Sequence, residues 1–208
     1  MDKHSLDISG KELYDELNGY FSIDPFINEI GFIYNLSVFQ HSKEGKNYQD
    51  THQDLHFILE QHKLGFIAVY IPILYTYLQH LLKKTSNEEE LLIITRNILL
   101  INADHYTAWN IRKKLIKQYK KELIFLDLIF TKHPKSGEAW AHRKYILKYL
   151  FNVKNINNKQ DVILHEMDIC HLAALHYSKN YYAWTHRQWM LQYIKNMNFL
   201  LIQLNALK

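Results

Sequence analysis

Three segments of this chain are near copies of one another, and that repetition restricts its fold more than any other feature. They read Asp104-His-Tyr-Thr-Ala-Trp109-Asn-Ile-Arg112, Lys135-Ser-Gly-Glu-Ala-Trp140-Ala-His-Arg143 and Lys179-Asn-Tyr-Tyr-Ala-Trp184-Thr-His-Arg187. Each has Ala directly before the Trp, Arg three residues after it and an aliphatic residue seven after it: Ile116, Leu147 and Leu191. The Trp-to-Trp spacings are 31 and 44 residues, too long for one helix and suited to a helix pair per unit. Repeats of this period read as an α–α solenoid in which each hairpin buries its apolar face against the next.

Within each unit a first helix ends at a cluster of breakers and a second helix carries the Trp. The clusters are Asn102-Ala-Asp104, His133-Pro134-Lys135 and Tyr177-Ser-Lys-Asn180. First-helix apolar residues facing the Trp helix are expected at Leu92, Leu99 and Leu100, at Leu123, Leu126 and Phe130, and at Met167, Cys170 and Leu175. Residues 152–160, polar and rich in Asn, account for the longer second spacing as a loop insertion. Trp, Arg and the aliphatic residue fall on one helical face, so Trp109, Arg112, Trp140, Arg143, Trp184 and Arg187 are expected to build and staple the solenoid. After Met197 the apolar run 199–208 reads as an incomplete fourth unit, an apolar end that truncation, an alternative isoform or a covering partner would explain.

Upstream, residues 1–85 are expected to form an N-terminal helical region and residues 86–208 the repeats. Ser9-Gly-Lys-Glu12 is a capping-box pattern opening a helix over 9–22. Asp24-Pro25 is expected to start a short second helix, 34–53 a polar loop, and helices to follow over 53–63 and 65–84. Ser86-Asn-Glu-Glu89 is a further capping-box pattern, opening the first repeat. Six Gly and three Pro leave few breakers, which favours long helices and an all-α class.

Composition excludes several functions. With Cys170 as the single cysteine, neither an internal disulfide nor a Cys-based zinc site can form. The apolar stretch 64–82 is interrupted by Pro72, Gln79 and His80, so a buried core helix is expected there and no membrane span. No charged-then-apolar signal opens the chain, and a cytoplasmic setting is expected. The formal net charge of +4 selects no partner class. Basic residues cluster from Arg112 to Lys121, but Tyr119 is the single interleaved aromatic, which argues against nucleic acid. His52, His56 and Glu60 would share a helical face, yet they lack the spacing of a metal site. No phosphate-binding Gly-rich loop and no nucleophile elbow is present.

The Trp-x-x-Arg words in tandem hairpins, above all Asn180-Tyr-x-x-Trp184-x-x-Arg187, resemble the repeat of protein prenyltransferase α subunits. Asp24-Pro-Phe-Ile-Asn-Glu-Ile-Gly31 and Lys132-His-Pro-Lys-Ser136 resemble a divergent repeat-containing branch of that family. The resemblance implies an α–α superhelix that wraps a catalytic β subunit, the β partner holding both the zinc and the isoprenoid diphosphate. It implies transfer of a farnesyl or geranylgeranyl group to a client protein's cysteine. It matches the family's diphosphate-facing lysine to Lys135 and its tyrosine to Tyr181, in the turns before the second and third Trp helices. A cation and a phenolic O–H there would stabilise charge growing on the leaving diphosphate. The chain departs from the family at Gly137, where tyrosine is frequent, and at Tyr182, where farnesyl-type relatives carry histidine. The competing reading is a helical-repeat interaction scaffold without catalysis.

Overall fold

The computed structural model describes residues 8–35, 55–152 and 159–206. The chain divides into two compact units, Met1–Leu115 and Ile116–Lys208. Eight α-helices and one three-stranded sheet occur among the described residues.

The first unit opens with α1 (Gly10–Ile23), and its start follows from local chemistry. Ser9 Oγ accepts from the Glu12 amide while the Glu12 carboxylate accepts from the Ser9 N–H at 2.8 Å, so two orphan donors are satisfied together. Leu13 and Leu17 lie on the buried face of α1, and Leu74 and Leu78 on that of α2 (Ile71–Lys84), which packs against it. Each of these leucines contributes about 2 kcal/mol of apolar burial. Next come α3 (Glu88–Ile101), which packs on α2, and α4 (Tyr106–Leu115), which packs on α3. The α3 cap is Asn87, whose side chain accepts from the Glu90 amide, one residue later than the Ser86 box predicts.

Between α1 and α2 the chain departs from the expected helices. Asp24 does not nucleate a helix: its Oδ1 accepts from the Phe26 amide at 2.9 Å, a local turn that sends the chain into β1 (Glu29–Ile33). The helix expected over 53–63 is instead a hairpin, β2 (Phe57–Glu60) and β3 (Lys63–Ile67), and β3 takes the first residues of the helix expected from 65. The sheet order is β1-β3-β2, with β1 parallel and β2 antiparallel to β3. Gln61 and His62 turn the hairpin with φ of 49° and 64°, and tertiary bonds hold this left-handed pair. His62 Nδ1 lies 2.8 Å from Asp24 Oδ2, and the Asn28 amide donates to the His62 carbonyl at 2.9 Å. The sheet's inner face carries Ile30, Phe57, Leu64 and Phe66, and the Phe57 ring meets Tyr20 of α1 edge-on at 5.9 Å. His56 precedes a strand rather than lying on a helix, which dissolves the proposed His/Glu face; His52 and most of the expected 34–53 loop fall outside the described residues.

The second unit is purely helical among its described residues. It comprises α5 (Tyr119–Lys132), α6 (Gly137–Asn152), α7 (Lys159–His176) and α8 (Tyr181–Ala206). Two hairpins result, α5–α6 and α7–α8, and they stack in register, α5 on α7 and α6 on α8. The run beyond Met197 forms no separate unit: the backbone of α8 continues unbroken to Ala206. No helix among the described residues is long and apolar enough to cross a membrane.

Two glycines in α1 give opposite expectations. A Cβ at Gly10 would lie 2.4 Å from Tyr77 Cβ, whereas one at Gly19 meets nothing within 4 Å. Gly10→Ala is expected to destabilise by about 1–3 kcal/mol. Gly19→Ala is expected to stabilise by about 0.5–1 kcal/mol, both read as shifts of the urea midpoint.

Candidate functional site

All three repeat tryptophans use one device. The indole Nε1 of each donates to a backbone carbonyl six residues earlier: Trp109 to Ala103 at 2.7 Å, Trp140 to Pro134 at 2.9 Å and Trp184 to Ser178 at 2.9 Å. Each bond ties the breaker turn to the Trp helix. The residue four before the Trp caps that helix: the amides of Ala108, Ala139 and Ala183 donate to the side chains of His105, Ser136 and Asn180. The three alanines are buried, which leaves no room for a larger side chain at that point.

The repeat arginines differ in what they reach. Arg112 Nη1 donates to the Leu92 carbonyl at 2.9 Å and to Thr95 Oγ1 at 3.3 Å, closing its own hairpin. Arg143 is fully buried and joins two hairpins. Its Nη1 reaches Asp127 Oδ1 of α5 at 2.7 Å, while Nε and Nη2 grip both carboxylate oxygens of Glu166 on α7 at 2.7 Å. Burial alone would lower the Arg143 pKa, but the charges of Glu166 and Asp127 raise it, so the guanidinium is permanently charged. Burial likewise pushes Glu166 up, and the Arg143 charge with bonds from His186 and Arg143 outweighs it, holding the carboxyl at about 2. His186, buried against Trp140 at 5.0 Å between ring centroids, is pushed down by burial and donates from Nε2 to Glu166 at 3.0 Å as a neutral imidazole.

The same carboxylate–imidazole pair recurs one hairpin earlier, with His142 Nε2 and Glu122 Oε1 at 2.9 Å, both buried. The sequence reading missed these four residues. Their signal is present: Glu122 and Glu166 each stand eighteen residues before a repeat Trp, and His142 and His186 each two after it.

Lys135 and Tyr181 lie on neighbouring turns. Three contacts dock the turn before α6 against the turn before α8. Asn180 Nδ2 donates to the Pro134 carbonyl at 2.6 Å, Lys135 Nζ sits 4.1 Å from the centroid of the Tyr177 ring, and the Tyr182 ring lies on Gly137. A Cβ at residue 137 would stand 2.9–3.0 Å from Tyr182 atoms, including the hydroxyl at 3.0 Å, so the glycine makes room for that phenol. Tyr181 begins α8, is exposed, and meets the Tyr182 ring edge-on at 5.8 Å. One ammonium and three phenols therefore border one solvent-facing surface, a donor set suited to an anion. The Lys135 ammonium meets Tyr177 rather than Tyr181.

Trp184 keeps the indole bond that ties its turn, yet it and Arg187 are less buried than their counterparts in the earlier repeats. Trp184 is half exposed, and the Arg187 guanidinium lies 5.9 Å from the Trp184 ring centroid. Leu191 and the first-helix residue Leu175 are exposed as well. Cys170 is buried beside Glu166, and burial pushes its thiol up to about 12, which makes it inert core. No group of three His, Cys, Asp or Glu capable of holding a metal occurs among the described residues.

Comparison with known proteins places these hairpins. The protein prenyltransferase alpha subunit repeat matches residues 88–119, 119–150 and 163–194. The chain is 31% identical to protein prenyltransferase alpha subunit repeat-containing protein 1 of Homo sapiens, over 80% of this chain and 44% of that protein. It is 30% identical to repeat-containing protein 1-B of Xenopus laevis, over 86% of this chain and 44% of that protein. A shorter stretch, 35% of this chain, is 32% identical to 24% of the geranylgeranyl transferase type-2 subunit alpha of Candida albicans. The chain spans about 44% of the length of the repeat-containing relatives it matches.

Glu166 sets an acid limit on stability. Its folded pKa of about 2 lies below the ordinary 4.5, so its contribution is fully present above 4.5 and is lost as pH falls through about 2. His186, depressed from 6.5, adds a loss in the same direction as pH falls below 6.5. Unfolding stability is expected to decline from pH 6.5 downward, and in Glu166→Gln the part of that decline below pH 4.5 is expected to be lost. Arg143→Met, which strands Glu166, is expected to cost about 3–5 kcal/mol, read by urea denaturation at neutral pH.

Proposed function

Because the chain belongs to the protein prenyltransferase α-subunit repeat family, we propose that it acts as the α-type subunit of a heterodimeric protein prenyltransferase. In this reading a β partner holds the zinc and the isoprenoid, and a farnesyl or geranylgeranyl group passes to a client cysteine in the cytoplasm. The chain itself supplies donors. Lys135 and Tyr181 face the diphosphate, and their charge and O–H stabilise the negative charge that grows as the carbon–oxygen bond breaks.

The observation that supports this reading best is the docking of the two turns. The Asn180–Pro134 bond and the Tyr182–Gly137 contact put the Lys135 turn and the Tyr181 turn on one surface. The Lys135 ammonium lies over the Tyr177 ring, 4.1 Å from its centroid. A ring face holds a cation weakly enough for an anion to compete for it.

Co-expression of the tagged chain with prenyltransferase β subunits of the same cell tests the proposal. A stoichiometric complex that transfers lipid to a cysteine peptide is expected, with kcat lowered about 100-fold by Lys135→Ala and about tenfold by Tyr181→Phe. A stable complex whose transfer is indifferent to both changes leaves a scaffold without catalytic side chains. Failure to bind any β subunit overturns the subunit reading.

A further inference from the structure

The outer face of the N-terminal sheet is ordered in rows that run across its three strands. Strand register aligns Glu29 of β1, Lys63 of β3 and Glu60 of β2 in one row. Gly31, Gly65 and Ile58 form the next. Side chains alternate between the faces of a strand, so both rows lie opposite the buried Ile30, Leu64 and Phe66. Ile33, two residues beyond Gly31, shares their face and leans over Gly65, where a Cβ would stand 2.4 Å from Ile33 Cδ1. The result is a groove of about 290 Å³, walled by Ile33 and Ile58 and bordered along one side by the charged row.

Ile33 accounts for the glycine at 65, but no such contact accounts for the one at 31. A Cβ on Gly31 would meet nothing among the described residues within 4 Å, and its backbone is not in the left-handed region. Glycine inside a strand weakens it, and it marks places where another group approaches the backbone closely. Without a Cβ, the peptide planes at Gly31 are open to a flat group. An aromatic ring fits there, in van der Waals contact with the backbone, as rings cover glycines within other sheets. Its edge then meets the side chains of Ile33 and Ile58.

The charged row adds a preference of sign. Two carboxylates flank one ammonium, with Lys63 Nζ 2.7 Å from Glu29 Oε2. A cation next to the ring is attracted to this row and a carboxylate is repelled. Size separates the possible occupants. The groove falls at the lower limit of cavities that enclose a whole small molecule, and it suits one large side chain.

We propose that the groove over Gly31 receives an aromatic side chain of a partner polypeptide, one in which a lysine or arginine neighbours that aromatic residue. The ring supplies contact area, and the Glu29–Lys63–Glu60 row selects the basic neighbour. The site uses neither Lys135 nor Tyr181 and stands whether or not the chain serves a transferase.

The test is a peptide titration of the isotope-labelled full chain, following the backbone amides of Gly31 and Gly65 by NMR. The probes are three peptides blocked at both ends: Trp-Lys-Lys, Trp-Glu-Glu and Ala-Lys-Lys. Trp-Lys-Lys is expected to shift both amides saturably. Trp-Glu-Glu is expected to bind about fivefold more weakly, and Ala-Lys-Lys to shift neither amide. Gly31→Val fills the groove with a side chain suited to a strand. It is expected to keep or raise the urea midpoint while abolishing the shift at Gly65. Glu29→Lys, at an exposed position, reverses the sign of the row and is expected to reverse the preference between the two Trp peptides. The proposal fails if Trp-Lys-Lys gives no saturable shift, or if either other peptide binds equally well. It fails too if Gly31→Val binds undiminished or Glu29→Lys leaves the preference unchanged. Free tryptamine binding more than about tenfold tighter than Trp-Lys-Lys would assign the groove to a small amine and overturn the polypeptide reading.

Discussion

A fully buried guanidinium dictates how the second unit is assembled. Arg143 cannot be left in a low-dielectric interior without compensation, and it draws in Asp127 from its own hairpin and Glu166 from the next. Those short bonds fix the register of one hairpin on another, which apolar stacking alone would allow to slide. Glu166 in turn needs His186 to satisfy it, and His186 packs on Trp140. The large apolar residue and the buried charge are therefore parts of one interface. The same carboxylate–imidazole pair recurs in the preceding hairpin, between Glu122 and His142.

That register also positions the solvent-facing turns. Once α7 and α8 are locked on α5 and α6, Asn180 reaches the Pro134 carbonyl and Tyr182 reaches Gly137. The two departures from the family pattern, glycine at 137 and tyrosine at 182, become a matched pair: the phenol from one hairpin fills the space vacated in the other. The surface around Lys135 and Tyr181 is thus a consequence of core electrostatics several residues away. Its donors stay available because the helices beneath them satisfy their own ends through the Trp indole and the capping side chains.

Much of this was legible in the chain's letters, for reasons that can be named. The Trp–Arg–aliphatic stripe has helical spacing, and the breaker clusters end each first helix where the structure ends it, at Ile101, Lys132 and His176. The N-terminal sheet was not legible. Its hairpin turns on Gln61 and His62, residues without the Asn-Gly signature of a two-residue turn, and the turn is held by Asp24 and Asn28 from far along the chain. Short apolar runs such as 57–60 and 63–67 read equally well as helix or strand until their pairing is known.

The sequence by itself determined the repeat and the hairpin architecture, because periodicity and breaker chemistry are local properties. Only the tertiary structure decided which members of the repeat are buried. Trp140 and Trp184 occupy identical words, yet one is core and the other is surface, since burial depends on whether a neighbour covers the face. It also decided that Glu122, His142, Glu166 and His186 are interior groups, for a charged residue's letter says nothing of its partner. Burial and ion pairing are properties of a packed assembly of elements, and no window of sequence contains them.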